Sequence, residues 1–405
     1  MSLDEPVADV MEGEVVPWTD EGDDEEPVSR EAVTHAVVTD TDWTAETILS
    51  QLRKGNIQLN PRFQRRDAWD ATRKSRFIES LILGLPIPQL VLAEDKRRRG
   101  AFIVLDGKQR LLTLRQFAEG SLLGVGSAAG EFRELRLSRL DVRPDLHGYN
   151  LARLEDEPDK IDDLNALLNQ TVRTVVVRRW PDENFLNLVF LRLNTGSVPL
   201  SPQELRQALH PGPFTNFVDD AAAESLEVRR ALRINAPDFR MRDVEILLRY
   251  FAFRRYLPEY RGNLKTFLDM TAERFNEQWT ELESEAVQLA QDFNDSIAAA
   301  FKVFGNNAFF RWDPKAKRYE RRFNRALFDV VMYYLQDSTI RAHAVERRER
   351  VEDALRALCA DDGFLRSIQA STKTVGATFT RLASWGGALS QALGIKLPAP
   401  ALVDG

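Results

Sequence analysis

The sequence predicts an α+β protein, with a mixed α/β N-terminal domain followed by an all-helical C-terminal domain. Three observations carry that expectation. Up to about residue 210, short apolar or β-branched runs alternate with amphipathic stretches of helical spacing. From about residue 240 onward, apolar residues recur at intervals of three and four in almost every stretch. The composition, 43% hydrophobic and 29% charged over 405 residues, is that of a folded chain long enough for two or three domains.

The elements follow in order. Residues 1–40 read as an acidic disordered tail: residues 1–31 carry twelve Asp and Glu against Arg30 alone, a net of -11. Subtracting that from the chain's net charge of -7 leaves a body of +4. A first helix fits Ala45 to Lys54, with Thr44 as N-cap and Gly55 as its stop. A second fits Ala71 to Leu83, capped by Asp70 and ended by Gly84. Gln89–Ala93 and Ala101–Leu105 read as strands joined by a charged turn at Lys96–Gly100, and Lys108–Ala118 as the next helix. Residues 121–170 read as a variable, partly helical insertion. Thr174–Arg178 is a β-branched strand, Phe185–Leu193 a helix and Asn194–Gly196 a turn. Ser201-Pro202-Gln203-Glu204 has the residues of a capping box with Pro at the first helical position. Beyond it, Val244–Tyr256, Leu264–Leu282, Glu283–Phe304, Arg322–Leu335 and Ala344–Leu358 carry helical spacing. The domain expectation is a tail to residue 40, an α/β domain over 41–210, a helical domain over 211–395 and a short tail after it.

Several classes of chemistry are set aside. Cys359 is the single cysteine, so an intrachain disulfide or a cysteine-rich zinc site cannot form. The four histidines are scattered at 35, 147, 210 and 343, without metal-ligand spacing, whereas a carboxylate-bound magnesium site stays open. No apolar run has the length of a membrane span, and the first 30 residues lack the apolar core of a signal peptide, so the expected location is the cytoplasm.

Three stretches carry candidate chemistry. In Phe102–Leu112 an apolar strand ends at Asp106-Gly107 and a helix opens with Lys108, Gln109 and Arg110. A helix N-terminus presents unpaired N–H groups and partial positive charge, so this suits a phosphate; equally, Asp106 suits an ordinary cap on a strand-to-helix turn. Arg62, Gln64, Arg65 and Arg66 form a second polar group, either phosphate-binding forks or a solvated basic loop. In the third, Asn194 and Thr195 suit a ligand or a turn, and Glu204 either catalysis or the capping box. In the helical half, Lys315, Lys317, Arg318, Arg321, Arg322 and Arg325 interleave with Trp312, Tyr319 and Phe323. That pattern suits nucleic acid, or a solvated helix face with its aromatic residues turned inward.

Three segments together, IQLNPRFQRRDAWDATRKSRFIESLILGLPIPQLVL, FIVLDGKQRLLTLRQF and FLRLNTGSVPLSPQELRQAL, resemble the N-terminal domain family of GmrSD-type modification-dependent restriction enzymes. The family's FQR box, G-x-PIP turn, DGQQR box and RLNTGG-x-PLS-x-QELR box occur here in order over about residues 45–210. The resemblance implies a ParB/sulfiredoxin-like α/β domain that binds and hydrolyses nucleoside triphosphates in prokaryotic defence. It implies catalytic roles for Asp106, Gln109 and Arg110, with Asp106 also as magnesium ligand. It implies nucleotide contacts from Gln64, Arg65, Gly107, Lys108, Asn194 and Thr195. Lys108 replaces the first Gln of DGQQR, and Ser197 replaces the second Gly of NTGG. The His-Asn-His nuclease centre of restriction-active members is absent from the sequence. DNA, a separate nuclease subunit and a second copy of the chain are the expected partners. A DNA-binding module without turnover is the alternative function. No P-loop of the GxxxxGK[ST] type occurs.

Overall fold

The computed structural model describes residues 36–57, 59, 66–122, 132–193, 201–369 and 374–400. Most of the expected acidic tail, and the turn at Asn194–Gly196, lie outside them. The described residues fall into two units: 36–220 with 237–242, and 221–236 with 243–400.

The N-terminal unit is built on a four-stranded sheet in the order β1-β4-β2-β3. These strands are β1 (Val37–Thr44), β2 (Leu90–Glu94), β3 (Phe102–Asp106) and β4 (Thr171–Arg178). β4 pairs antiparallel with β1 and parallel with β2, and β2 pairs antiparallel with β3. Alternation along β2 and β3 sends Leu90, Leu92, Phe102 and Val104 to one face, and Val91, Ala93, Ile103 and Leu105 to the other. The first face is covered by α1 (Ala45–Arg53), α2 (Ala71–Ile82), α3 (Lys108–Phe117) and α5 (Ile161–Asn169), which follows the short α4 (Leu151–Asp156). The second is covered by α6 (Glu183–Leu193) and α7 (Pro202–Leu209). Helices on both faces explain why β2 and β3 carry nearly continuous apolar runs.

Local signals produced these helices as expected. Thr44 caps α1 through Thr47 N, and Asp70 caps α2 through Arg73 N. Ser201 and Glu204 form a complete capping box on α7. Within the expected insertion, buried Glu79 of α2 accepts N–H bonds from Val142 at 2.8 Å and Arg143 at 2.7 Å, which ties that segment to the sheet's helical layer. Arg66, 1% exposed, donates to Asp219 at 2.8 Å and to the Asp238 carbonyl at 2.7 Å, so residues 237–242 belong to this unit. In this arginine-rich group it is Arg66 that acts as a buried structural tie.

β1 corrects the expected tail boundary, because it begins at Val37, inside the 1–40 stretch. Val37 and Val38 stay exposed and polar residues alternate after them, as an edge strand allows; its hydrogen bonds come entirely from β4.

The C-terminal unit is organised by the 26-residue helix α12 (Trp279–Phe304), preceded by α9 (Leu226–Leu232), α10 (Arg242–Tyr256) and α11 (Leu264–Glu277); α8 (Pro213–Glu224) leads into it. α12 packs against α9, α13 (Arg325–Leu335), α14 (Ser338–Glu346) and α15 (Arg348–Leu358), and α16 (Asp362–Gln369) and α17 (Val375–Leu393) complete the bundle. The break between α11 and α12 falls at Gln278, four residues before the expected one.

This unit is not all-helical. β5 (Phe310–Asp313) and β6 (Arg318–Phe323) form an antiparallel hairpin where helix was expected, and α13 starts at Arg325 rather than Arg322. The reason is physical. Tyr319 and Phe323 lie four apart, which fits a helix face, but Phe310 pairs with Phe323 and Trp312 with Tyr319 across two strands. Asp313 Oδ1 accepts from Lys315 N and Ala316 N, a local bond that closes the turn, and Lys317 takes φ 50° there.

Candidate functional site

The site is built where β3 runs into α3. Gly107 is the N-cap of α3 at φ 99°, and no side chain caps this helix. A Cβ at Gly107 would stand 2.2 Å from Leu90 Cδ2 and 3.1 Å from Arg110 Nη2. The glycine therefore makes room for the protein's own Leu90 and Arg110, rather than for a ligand. Asp106 does not cap α3 either. Its Oδ2 accepts from Arg110 Nη2 at 2.8 Å, and the same Nη2 donates to the Gln89 carbonyl at 3.0 Å. Arg110 is thereby fixed across the turn, in contact with both β3 and the residue preceding β2.

Lys108 points elsewhere. It is 7% exposed, and its Nζ donates to Glu204 Oε1 at 2.7 Å. The other carboxylate oxygen of Glu204 accepts from Ser201 N at 2.8 Å. Glu204 thus holds both roles weighed for it, closing the capping box and compensating a buried cation. Such a pair stabilises only while both partners are present, because removal of one leaves an uncompensated charge in low dielectric.

Lys108 and Glu204 line a cavity of about 100 Å³, together with Phe102 and Val104 of β3, Leu59, and Gln207 of α7. Gln207 is 5% exposed, and its Oε1 is buried with no hydrogen-bond partner among the described residues. Gln109 Oε1 is likewise buried and unbonded. Buried amide oxygens are normally satisfied, and of these two Gln207 lines the cavity whereas Gln109 does not.

Sequence reading singled out Asp106, Gly107, Lys108, Gln109 and Arg110, and the structure keeps them on one turn with Arg110 and Lys108 directed to different carboxylates. Gln64, Arg65, Asn194 and Thr195 lie outside the described residues. Gln207 went unread, and only its position within the QELRQ segment pointed to it. Of the basic set, Lys315, Lys317, Arg318, Arg321 and Arg322 are exposed on the hairpin and its turn, whereas Arg325 is half-buried and bound to Glu245 at 2.9 Å.

Among the described residues, no group of three potential metal ligands includes Asp106. One carboxylate does not make an all-protein cage, but it fits magnesium, which typically reaches a protein through one or two carboxylates and the phosphates of its substrate. No described helix is long and apolar enough to cross a membrane.

Residues 46–211 match the family model of the GmrSD restriction endonuclease N-terminal domain. No curated protein and no solved structure matches the chain.

Proposed function

We propose that the N-terminal unit binds a nucleoside triphosphate and hydrolyses it with a nucleotide-borne magnesium ion, as part of a prokaryotic restriction system directed at phage or modified DNA. The observation that supports this reading most is the meeting of two distant boxes at one cavity: Lys108 from DGKQR, with Glu204 and Gln207 from the QELRQ segment 96 residues on. The cavity takes one moiety of such a ligand, since whole small-molecule sites run to roughly 300–1,000 Å³.

In this reading Lys108, Arg110 and Arg65 hold phosphate oxygens, and Gly107 shapes the turn that carries two of them. Gln64, Gln109, Asn194 and Thr195 orient the nucleotide or the attacking water. Phosphoryl transfer demands mainly positioning and neutralisation of charge, which these residue types supply. With Arg110 on a phosphate, Asp106 would be free to hold the magnesium ion or to accept a proton from the attacking water. Cleavage of DNA falls to a separate nuclease subunit.

The test is calorimetry with nucleoside triphosphates and magnesium, paired with a phosphate-release assay. Arg110→Ala lowers affinity at least tenfold, about 1.4 kcal/mol. Unchanged affinity in a folded variant refutes the reading. Binding without phosphate release selects the alternative, a nucleotide-switched module without turnover.

A further inference from the structure

The hairpin and the end of α9 hold several cations that meet no acid among the described residues. Arg230 stacks on Phe301, with its guanidinium carbon 4.0 Å from the ring centre, and donates to Asn306 Oδ1 at 3.0 Å. Arg233 stacks on Phe310 at 4.0 Å and donates to the Asn306 carbonyl at 3.1 Å. Two arginines one helical turn apart are therefore anchored to the same asparagine. Each keeps the larger part of its five N–H donors for another partner. Burial, and then the neighbouring charge of Arg321 on β6, push the Arg233 pKa below the ordinary arginine value. The protein holds these like charges close together at a cost that an anion would relieve.

Carboxylates are not scarce nearby. Arg311 pairs with Glu320, Arg325 with Glu245 and Arg356 with Glu352. By contrast Arg230, Arg233 and Arg321 have no ion pair among the described residues, and neither do exposed Lys315, Lys317 and Arg322. The acids are spent on the other arginines, which leaves six cations on the end of α9 and the hairpin without one.

We infer that Arg230, Arg233 and Arg321 form an anion site for the phosphodiester backbone of duplex DNA, extended along the hairpin by Lys315, Lys317 and Arg322. The number of cations without an acid favours a polymer over a small anion, because each added cation can find another phosphate. Guanidinium groups anchored on rings are pre-oriented, which suits bidentate contact with phosphate oxygens. The site lies in the C-terminal unit and needs neither nucleotide nor magnesium, so its failure and that of the nucleotide reading are separate.

The experiment titrates the full chain into a fluorescently labelled DNA duplex at several salt concentrations, without nucleotide. The double variant Arg233→Ala/Arg321→Ala lowers affinity at least tenfold and reduces the slope of log K against log salt by about 1.8, at roughly 0.9 per phosphate contact. The charge-keeping Arg233→Lys/Arg321→Lys variant retains most of that slope. If the alanine pair fails to fold, Arg321→Glu on the exposed strand gives the same reading alone. An unchanged slope in a folded variant overturns the proposal. So does a small-anion result, in which inorganic phosphate raises the melting temperature of the parent but not of the variant while both bind DNA alike.

Discussion

Lys108 and Arg233 carry the same charge into opposite settings. Lys108 is buried and meets a carboxylate at 2.7 Å; Arg233 lies on an aromatic ring, beside another arginine and without an acid. The first cation is compensated from within the fold, so its removal is a stability event before it is the loss of any phosphate contact. The second meets no carboxylate, so its removal strands no opposite charge and costs the fold only a ring contact and one hydrogen bond. Residue type does not separate the two; the partner does.

The largest effect that tests this contrast is Glu204→Ala. It strands the Lys108 ammonium and opens the capping box, and urea denaturation should register a loss of about 3–5 kcal/mol. Arg321→Ala in the same assay should stay within about 0.5 kcal/mol. Equal losses would erase the distinction. The double variant Lys108→Met/Glu204→Leu sharpens it: most of the stability returns, since an apolar pair of similar volume replaces a buried ion pair at little cost and only the capping-box bond, about 1 kcal/mol, stays lost, while nucleotide affinity does not return.

Next in size is Gly107→Ala. The αL backbone costs about 1–2 kcal/mol for a residue with a Cβ, and displacement of Leu90 adds about 1–3 kcal/mol. Thermal denaturation is the measurement, and a loss below about 1 kcal/mol would mean that the turn relaxes without disturbing Leu90.

Gln207→Leu should move stability by less than about 1 kcal/mol in either direction, because it removes a buried oxygen that has no partner among the described residues. Its effect should appear in nucleotide affinity, lower by about three- to tenfold in calorimetry. A stability loss of several kcal/mol would assign Gln207 to the fold instead of the ligand.

The smallest effect is expected at the acidic N-terminus. Removal of residues 1–31 takes the net charge from -7 to +4, which should strengthen DNA association several-fold at low salt and leave the melting temperature unchanged. Weaker DNA binding would show that the acidic segment does not compete with the basic row.

Much of this was legible beforehand. The caps at Thr44, Asp70 and Ser201, the charged turn between β2 and β3, and the strand-to-helix turn at Gly107 were all read from residues within a few positions of one another. A cap is satisfied by N–H groups two or three residues away, so the chain states it locally. The edge strand β1 and the β5–β6 hairpin were not read. VVTDTDWT buries little, and RYERRF alternates charge with aromatics at a spacing that also fits a helix.

By itself, then, the sequence determined the alternation of strands and helices from α1 to α7, the caps at Thr44, Asp70 and Ser201, and the family match of residues 46–211. Tertiary structure alone decided which carboxylate each cation meets. Lys108 finds Glu204 across 96 residues and Arg66 finds Asp219 across 153, whereas Arg233 finds none. Ion pairing acts through space over a few ångströms, and composition fixes only how many charges there are, so which of them remain open to a ligand emerges only when the chain has folded.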